Sequence, residues 1–277
     1  MDRGLLSPQD ILRYRKILVS ECRYLPTPLD EYAFNFKRWV ARAKREDPPG
    51  RCTAICACIQ SLVHRDARYV QKSLEIVEFP SRDAQAYLLG LAGMVLCHLG
   101  DRDEGIQLFR RAVEVCPCRS TKLGLATELN REEDMAEGIE ICEGLLKDNP
   151  EDAEVHRVLA VKYGDQDRND AAKTAALEAV RLAPKSRSAR QVLGDVLRHE
   201  GDYASALSEY KRARSYFQFQ PYLQYRMAQC CFRLGKIARS RRHAKRIPED
   251  VFIRDPYFKD NAESIRTTLG EILTARG

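Results

Sequence analysis

Three prolines, Pro117, Pro150 and Pro184, stand 33 and 34 residues apart, and each closes an amphipathic stretch: GIQLFRRAVEVCP, GIEICEGLLKDNP and AAKTAALEAVRLAP. Further apolar patterns alternate with these, among them AYLLGLAGMVLCHLG, AEVHRVLAVKYG and SARQVLGDVLRHEG. Such a recurrence restricts the chain to stacked supersecondary units, because one short helix pair cannot bury its apolar face alone. The prolines end each unit, since Pro cannot continue a helix and pushes its predecessor out of the α region. Gly100, Gly201 and Gly235 fall between the two patterns of a unit, where a tight turn calls for a positive φ.

Several slots recur together at this period. Leu89, Ala92, Gly93 and Leu96 are followed by Gly105, Phe109 and Ala112; Leu159, Ala160 and Tyr163 by Ala172, Ala176 and Ala179; Leu193, Gly194 and Leu197 by Ala206, Tyr210 and Ala213; and Met227, Ala228 and Cys231 by Gly235. On these residues the chain resembles the tetratricopeptide repeat family, a 34-residue helix–turn–helix unit. Five units cover residues 86–248; the one from Arg119 to Pro150 is a residue short, with Glu133 where its siblings carry Gly or Asp. The resemblance implies an all-α fold, a right-handed superhelical α-solenoid of antiparallel helix pairs. Gly93, Ala160, Gly194 and Ala228 are expected to let paired helices approach closely. Phe109, Tyr163 and Tyr210 are expected to fill the space between units, and His156 to occupy a core slot.

The flanks complete a four-part organisation. Residues 1–50 read as an N-terminal helical pair (8–25 and 28–47) and residues 51–85 as a degenerate repeat. The five units follow over 86–248, and 249–277 reads as a loop, EDVFIRDP, and a capping helix near 257–275. Ile265, Leu269, Ile272 and Leu273 form that helix's apolar stripe, as the end of a solenoid requires.

The N-terminus shows no secretory signal pattern, and the longest uncharged run, 84–100, is short for a membrane span. A cytoplasmic protein with no membrane partner is expected. Ten cysteines then read as free thiols, with Cys58, Cys97, Cys142 and Cys231 as small core residues. Cys52, Cys56 and Cys58 cluster, and Cys116-Pro117-Cys118 sits at a turn, but neither group has the paired-ligand spacing of a zinc site, so no metal is expected. No phosphate loop, nucleophile elbow or HExxH pattern is present, and the five His are scattered. The chain is read as non-enzymatic, without catalytic residues or cofactor.

The formal charge of +6 hides an asymmetry. Residues 126–170 carry 14 acidic against 5 basic side chains, and residues 209–254 carry 3 against 12, densest in RSRRHAKR at 239–246. First helices line the concave groove in the family, so the expected partner-binding set is Gln191, Asp195, Arg198, Tyr222, Tyr225, Arg226, Gln229 and Arg233: polar, cationic and aromatic. Replacing Tyr222, Arg226 and Arg233 with Ala is expected to abolish capture while leaving helicity unchanged. Gly90, Met94, Gly124, Glu154 and Val158 stand where some family members carry a carboxylate clamp for chaperone tails, so that activity is not carried over. The chain thus reads as an adaptor or scaffold for a protein or peptide, one with an acidic segment fitting best. Nucleic-acid binding through the basic C-terminal third is the second reading; there the arginines of 239–246 otherwise solvate an outer helix face. Homo-oligomerisation through the N-terminal helices, where Tyr32, Phe34, Phe36 and Trp39 crowd together, is the third.

Overall fold

The computed structural model describes residues 61, 66–76, 82–214 and 221–275. Among them the chain forms 14 α-helices and no strand. The expected helical pair of residues 1–50, its aromatic cluster and the Cys52–Cys58 group lie outside the described residues. The chain divides into two compact units, Met1–Leu129 and Asn130–Gly277, with the division falling inside the short repeat.

The first unit contains α1 (Arg68–Ile76), α2 (Arg82–Leu99), α3 (Arg102–Val115) and α4 (Arg119–Glu128). Close contacts match Cys97 with Gly105 and Gly90 with Phe109, so α2 and α3 run antiparallel. Their approach leaves no room for a side chain. A Cβ on Gly93 would lie 2.7 Å from the Gly105 carbonyl oxygen and 2.9 Å from the Phe109 ring, and one on Gly124 would lie 2.8 Å from that same ring. Phe109 is therefore held between its own pair and the helix that follows.

The second unit opens with a 3₁₀ turn, Glu132–Asp134, and α5 (Met135–Asp148). Three pairs follow: α6 (Ala153–Asp165) with α7 (Asn169–Leu182), α8 (Arg187–His199) with α9 (Tyr203–Ala213), and α10 (Pro221–Arg233) with α11 (Ile237–Ala244). Gly194 repeats the role of Gly93, since a Cβ there would lie 2.7 Å from the Tyr210 ring. Tyr210 is buried with Leu207, Leu223, Met227, Cys230 and Cys231, so one ring joins α8, α9 and α10. Tyr163 departs from the expected role: it is half-buried, and its hydroxyl donates to Glu143 at 3.1 Å while Arg168 stacks on its face. His156 also lies outside the core, half-buried, with Nε2 2.9 Å from the Pro150 carbonyl.

The turns obey local stereochemistry. Gly100, Gly201 and Gly235 have φ of +107°, +86° and +68°, in open space, so conformation and not crowding selects Gly there. The α6–α7 turn reaches the same region with Asp167 at φ +56°, a residue type that tolerates it. Asp152, Ser186 and Asp202 cap α6, α8 and α9 by accepting from backbone N–H groups. Between repeats, Arg190 donates to Glu209 at 2.7 Å and to the Pro184 carbonyl, tying the end of α7 to α9.

The C-terminal segment is more ordered than a loop and one helix. Val251–Arg254 forms α12, Pro256–Asp260 forms α13 and Ala262–Thr274 forms α14. Asp255 caps α13 by accepting from the Phe258 N–H at 3.3 Å, with Pro256 in the first helical position, where its missing N–H costs nothing. Ile265 and Ile272 are buried, and Ile272 packs with Ala228 and Ala244 as a cap should. Leu273, expected in the same stripe, is instead exposed, because the stripe facing the bundle is narrower than the apolar run. Among the described residues, no helix is long and apolar enough to cross a membrane.

Two outcomes check this packing. Gly194→Ala should lower the stability of the chain by about 1–3 kcal/mol in urea titration, from overpacking against Tyr210. Gly270→Ala on α14, where a Cβ meets nothing, should raise it by about 1 kcal/mol through helix propensity. The Asp202 carboxyl is held below its usual range by the hydrogen bonds from Ser205. Its contribution is therefore present above the unfolded carboxyl pKa and lost as pH falls through the depressed folded value. Asp202→Ala should lower Tm at pH 7, and the gap from the parent should close as the pH is lowered through that range.

Candidate functional site

The expected groove residues of α8 and α10 meet, but mostly one another. Tyr210 and Tyr222 both donate to Asp195 Oδ1 at 2.8 Å. Arg226 Nε lies 3.4 Å from the same oxygen, close enough for an ion pair but not aligned for a hydrogen bond. The guanidinium sits over three rings, 4.8 Å from Tyr222, 5.6 Å from Tyr225 and 5.4 Å from Tyr257. Its Nη1 donates to Gln229 Oε1 at 3.1 Å, and Gln229 donates to the Tyr225 hydroxyl at 2.9 Å. Of the eight expected residues, five thus form one network: Asp195, Tyr222, Tyr225, Arg226 and Gln229. Gln191 and Arg198 are half-buried beside it and Arg233 is exposed, without hydrogen bonds of their side chains among the described residues.

The chain's own C-terminal segment covers this face. Tyr257 packs edge-on against Tyr222 with centroids 5.0 Å apart, and buried Phe258 meets Tyr225 at 6.0 Å. Neither residue was in the expected set, because the signal for them, DPYF with a capping Asp and an N1 Pro, reads as a helix start and says nothing about where it docks. Beside the network remains a cavity of about 240 Å³, lined by Val161, Asp165, Val192, Val196, Asp195 and Tyr257 among others.

Burial dominates the electrostatics of this network. It pushes the Asp195 carboxyl above its ordinary range, against the pull of Arg226 and the two tyrosine hydroxyls. Burial first, then the Asp195 charge, raises both Tyr210 and Tyr222, so both stay protonated donors. The Ala substitutions at Tyr222 and Arg226 expected to leave helicity unchanged would in fact open the core between α8, α10 and α13.

A second concavity lies on the other side of the second unit. Leu207, Met227 and Cys231 form its apolar floor, and Lys211, Arg214, Arg239, Arg242 and Arg246 surround it, with a volume of about 450 Å³. Arg239, Arg242 and Arg246 recur every three or four residues, so α11 and its last turn present them on one side. Arg241 points elsewhere and donates to the Ala275 carbonyl, fixing the end of α14. His243 completes the rim. Burial, then the cations Arg246, Arg214, Lys211 and Arg242, hold its pKa below the usual value, so at neutral pH it is uncharged and its Nδ1 donates to Gln224 Oε1 at 2.9 Å. None of the five cations is ion-paired among the described residues. The arginines of 239–246 were expected to solvate an outer helix face; three of them, Arg239, Arg242 and Arg246, instead surround an apolar floor that only tertiary packing assembles.

Among the described residues, no group of three or more His, Cys, Asp or Glu is gathered in a manner that could hold a metal ion. The network around Asp195 predicts its own cost. Asp195→Ala leaves Arg226 buried without its counter-charge and should destabilise the chain by about 3 kcal/mol, whereas Asp195→Asn, which keeps an acceptor for the tyrosines, should cost less, both read from denaturant midpoints.

No curated protein matches the chain. Among solved structures, a thermophilic tetratricopeptide repeat protein of Thermus thermophilus is 18% identical and superposes with a TM-score of 0.56, over 69% of this chain and 100% of that one. PilW, a widely conserved type IV pilus biogenesis factor, is 16% identical with a TM-score of 0.55, over 76% of this chain and 94% of PilW. A tetratricopeptide repeat protein of Parabacteroides merdae is 18% identical with a TM-score of 0.51, over 81% of this chain and 97% of that one. At these identities the likeness concerns the fold. A family model described as tetratricopeptide repeat matches residues 159–222, the segment running from α6 to the start of α10. With helix pairs at a 34-residue period and the repeat's small and aromatic slots in contact, the chain has a tetratricopeptide-repeat-like all-α fold, and residues 159–222 match that repeat's family model.

Proposed function

We propose that the protein is a non-enzymatic adaptor that captures an acidic segment of a partner protein in the basic cup between α9, α10 and α11. The repeat fold is that of a protein-interaction scaffold. The observation that carries the finer reading is the set of five cations, unpaired among the described residues, around an apolar floor. Cations held together without counter-charge repel one another, a cost that a bound anionic partner relieves. Arginine offers planar, bidentate donors to carboxylates, and the floor of Leu207, Met227 and Cys231 accepts an apolar side chain between them. The volume lies within the range of sites that enclose a ligand, here a few side chains.

The same geometry favours peptide over nucleic acid. Single-strand binding needs aromatic faces on which bases stack. Among the described residues, Tyr210 and Tyr225 are buried in the core, and Tyr222 is enclosed by Arg226 and Tyr257.

The test uses a fluorescent synthetic peptide of Asp and Glu flanking a central Leu. Fluorescence anisotropy should show saturable binding to the full chain. The double variant Arg242→Glu/Arg246→Glu should weaken it at least tenfold, and Arg187→Glu, away from the cup, should not. Equal binding by the double variant would overturn the site. Failure to bind the peptide together with steeply salt-dependent binding of generic single-stranded RNA would overturn the reading in favour of nucleic acid.

A further inference from the structure

Pro117 is the stop of a repeat unit, but the two cysteines that flank it, Cys116 and Cys118, hold no repeat slot and line neither concavity. Cys116 is the C-terminal cap of α3 and Cys118 the N-terminal cap of α4, so the link between two repeats is a single proline. The Cys118 N–H donates to the Cys116 carbonyl at 2.8 Å, an i to i+2 bond that makes the link an inverse γ-turn. Pro117 presets the φ such a turn needs at its centre. A chain folded back this tightly places the two Cα atoms on the order of the 5.5–6 Å separation that a disulfide spans. Thr121 anchors the turn: its buried hydroxyl lies 2.6 Å from the Cys116 carbonyl oxygen and 2.9 Å from that of Cys118.

The two thiols occupy unlike surroundings. Cys118 is exposed at the N-terminal end of α4, with its Sγ 3.0 Å from Ser120 Oγ and 3.6 Å from Thr121 Oγ1. The Ser120 hydroxyl, the Thr121 backbone N–H and the helix N-terminus all favour a thiolate. Although partial burial opposes it, these hydrogen bonds lower the Cys118 thiol to about 6. Cys116 is half-buried and donates to Asp83 Oδ1 at 3.3 Å. That bond, then the neighbouring Cys118, keeps Cys116 protonated, its thiol pushed up to about 11. The cysteines packed elsewhere behave differently. Burial raises Cys97 to about 12 and Cys142 to about 11, so neither is a nucleophile at neutral pH.

We propose that Cys116 and Cys118 form a thiol–disulfide exchange site, with Cys118 as attacking thiolate, Cys116 as resolving thiol and a small-molecule or protein disulfide as oxidant. The Cys118 thiolate attacks one sulfur of the disulfide, the S–S bond breaks, and one half leaves as thiolate. This leaves a mixed disulfide on Cys118. Cys116 passes its proton to the Asp83 carboxylate and attacks Cys118 Sγ, expelling the second half as thiolate, which takes up the proton. The dithiol gives up two electrons to become a disulfide, and the oxidant is reduced to two thiols. Asp83, from the start of α2, acts as a positioning residue and proton acceptor for the second attack only.

Trypsin releases both cysteines on one peptide, Ala112–Arg119, with no other Cys, so each step can be read site by site in the full chain. Oxidised glutathione is the probe, followed by alkylation and peptide mass spectrometry. The parent peptide should lose two hydrogens and resist alkylation. Cys116→Ser should instead accumulate glutathione on Cys118, and Cys118→Ser should take up glutathione on Cys116 at least tenfold more slowly. Asp83→Asn should leave the first step unchanged and slow closure several-fold, a split that a merely structural role would not produce. In the reduced parent, alkylation of Cys118 should rise with pH to half its maximum near pH 6, the value about which its thiol titrates, and circular dichroism of each variant should match the parent. Recovery of both thiols free after oxidant in the folded parent would overturn the proposal. Equal glutathionylation rates of the two single variants would overturn the assignment of Cys118 as nucleophile.

Discussion

The second unit depends on the seating of the Tyr210 ring against the bare backbone of Gly194. That approach, too close for any Cβ, brings α8 and α9 together and leaves the ring's far side to receive α10. It also carries the Tyr210 hydroxyl to Asp195, and through Asp195 to Tyr222 and Arg226. The same arrangement, Gly93 against Phe109, governs the first unit, with Gly124 of the following helix closing on the ring. Phe109 has no hydroxyl, so that junction is purely apolar, whereas the Tyr210 junction seeds a polar network.

The network explains a division of labour between the two faces of the last repeats. On the α8–α10 face, cation and carboxylate are matched: Arg226 has Asp195 and three rings, and the C-terminal Tyr257 and Phe258 close over them. Buried charge of this kind tolerates no loss of a partner, which makes it a poor gripping surface and a good junction. On the α9–α11 face the charges have no such match among the described residues. Lys211, Arg214, Arg239, Arg242 and Arg246 share one concavity whose lining, among the described residues, holds no carboxylate, so their mutual repulsion is not offset there. The link at Cys116 and Cys118 follows a third logic: a turn so short that both ends must use the same few donors and acceptors, and the two thiols inherit opposite partners.

Most of the fold is legible in the sequence. The period, the Pro stops, the positive-φ glycines and the small-against-large slots all rest on local sterics, and local sterics are written residue by residue. Gly100, Gly201 and Gly235 could be assigned to turns because few side chains tolerate that conformation. Asp167, in the same role, carries a weaker signal because Asp enters that region only occasionally. The candidate sites are less legible. Asp195, Tyr222, Tyr225, Arg226 and Gln229 were read together as a groove surface, and they do come together, but the periodicity that places them on one face cannot show that Tyr257 and Phe258 return to cover it. Tyr163 and His156 hold repeat slots, yet lie only half-buried, since a slot says which way a side chain points and not whether a neighbour arrives to bury it.

The sequence by itself determined an all-α chain of tetratricopeptide-type helix pairs, their turns and an acidic middle followed by a basic C-terminal third, because helix periodicity, Gly and Pro stereochemistry and charge are properties of short segments. Only the tertiary structure decided which charges are neutralised and which are left over. Arg226 and Arg242 are indistinguishable as letters in a basic stretch; one ends beside Asp195 beneath three tyrosines, the other on the rim of an apolar cup. The reason is that counter-charge and desolvation act over a few ångströms between helices distant in sequence, and those distances exist only after the helices have packed.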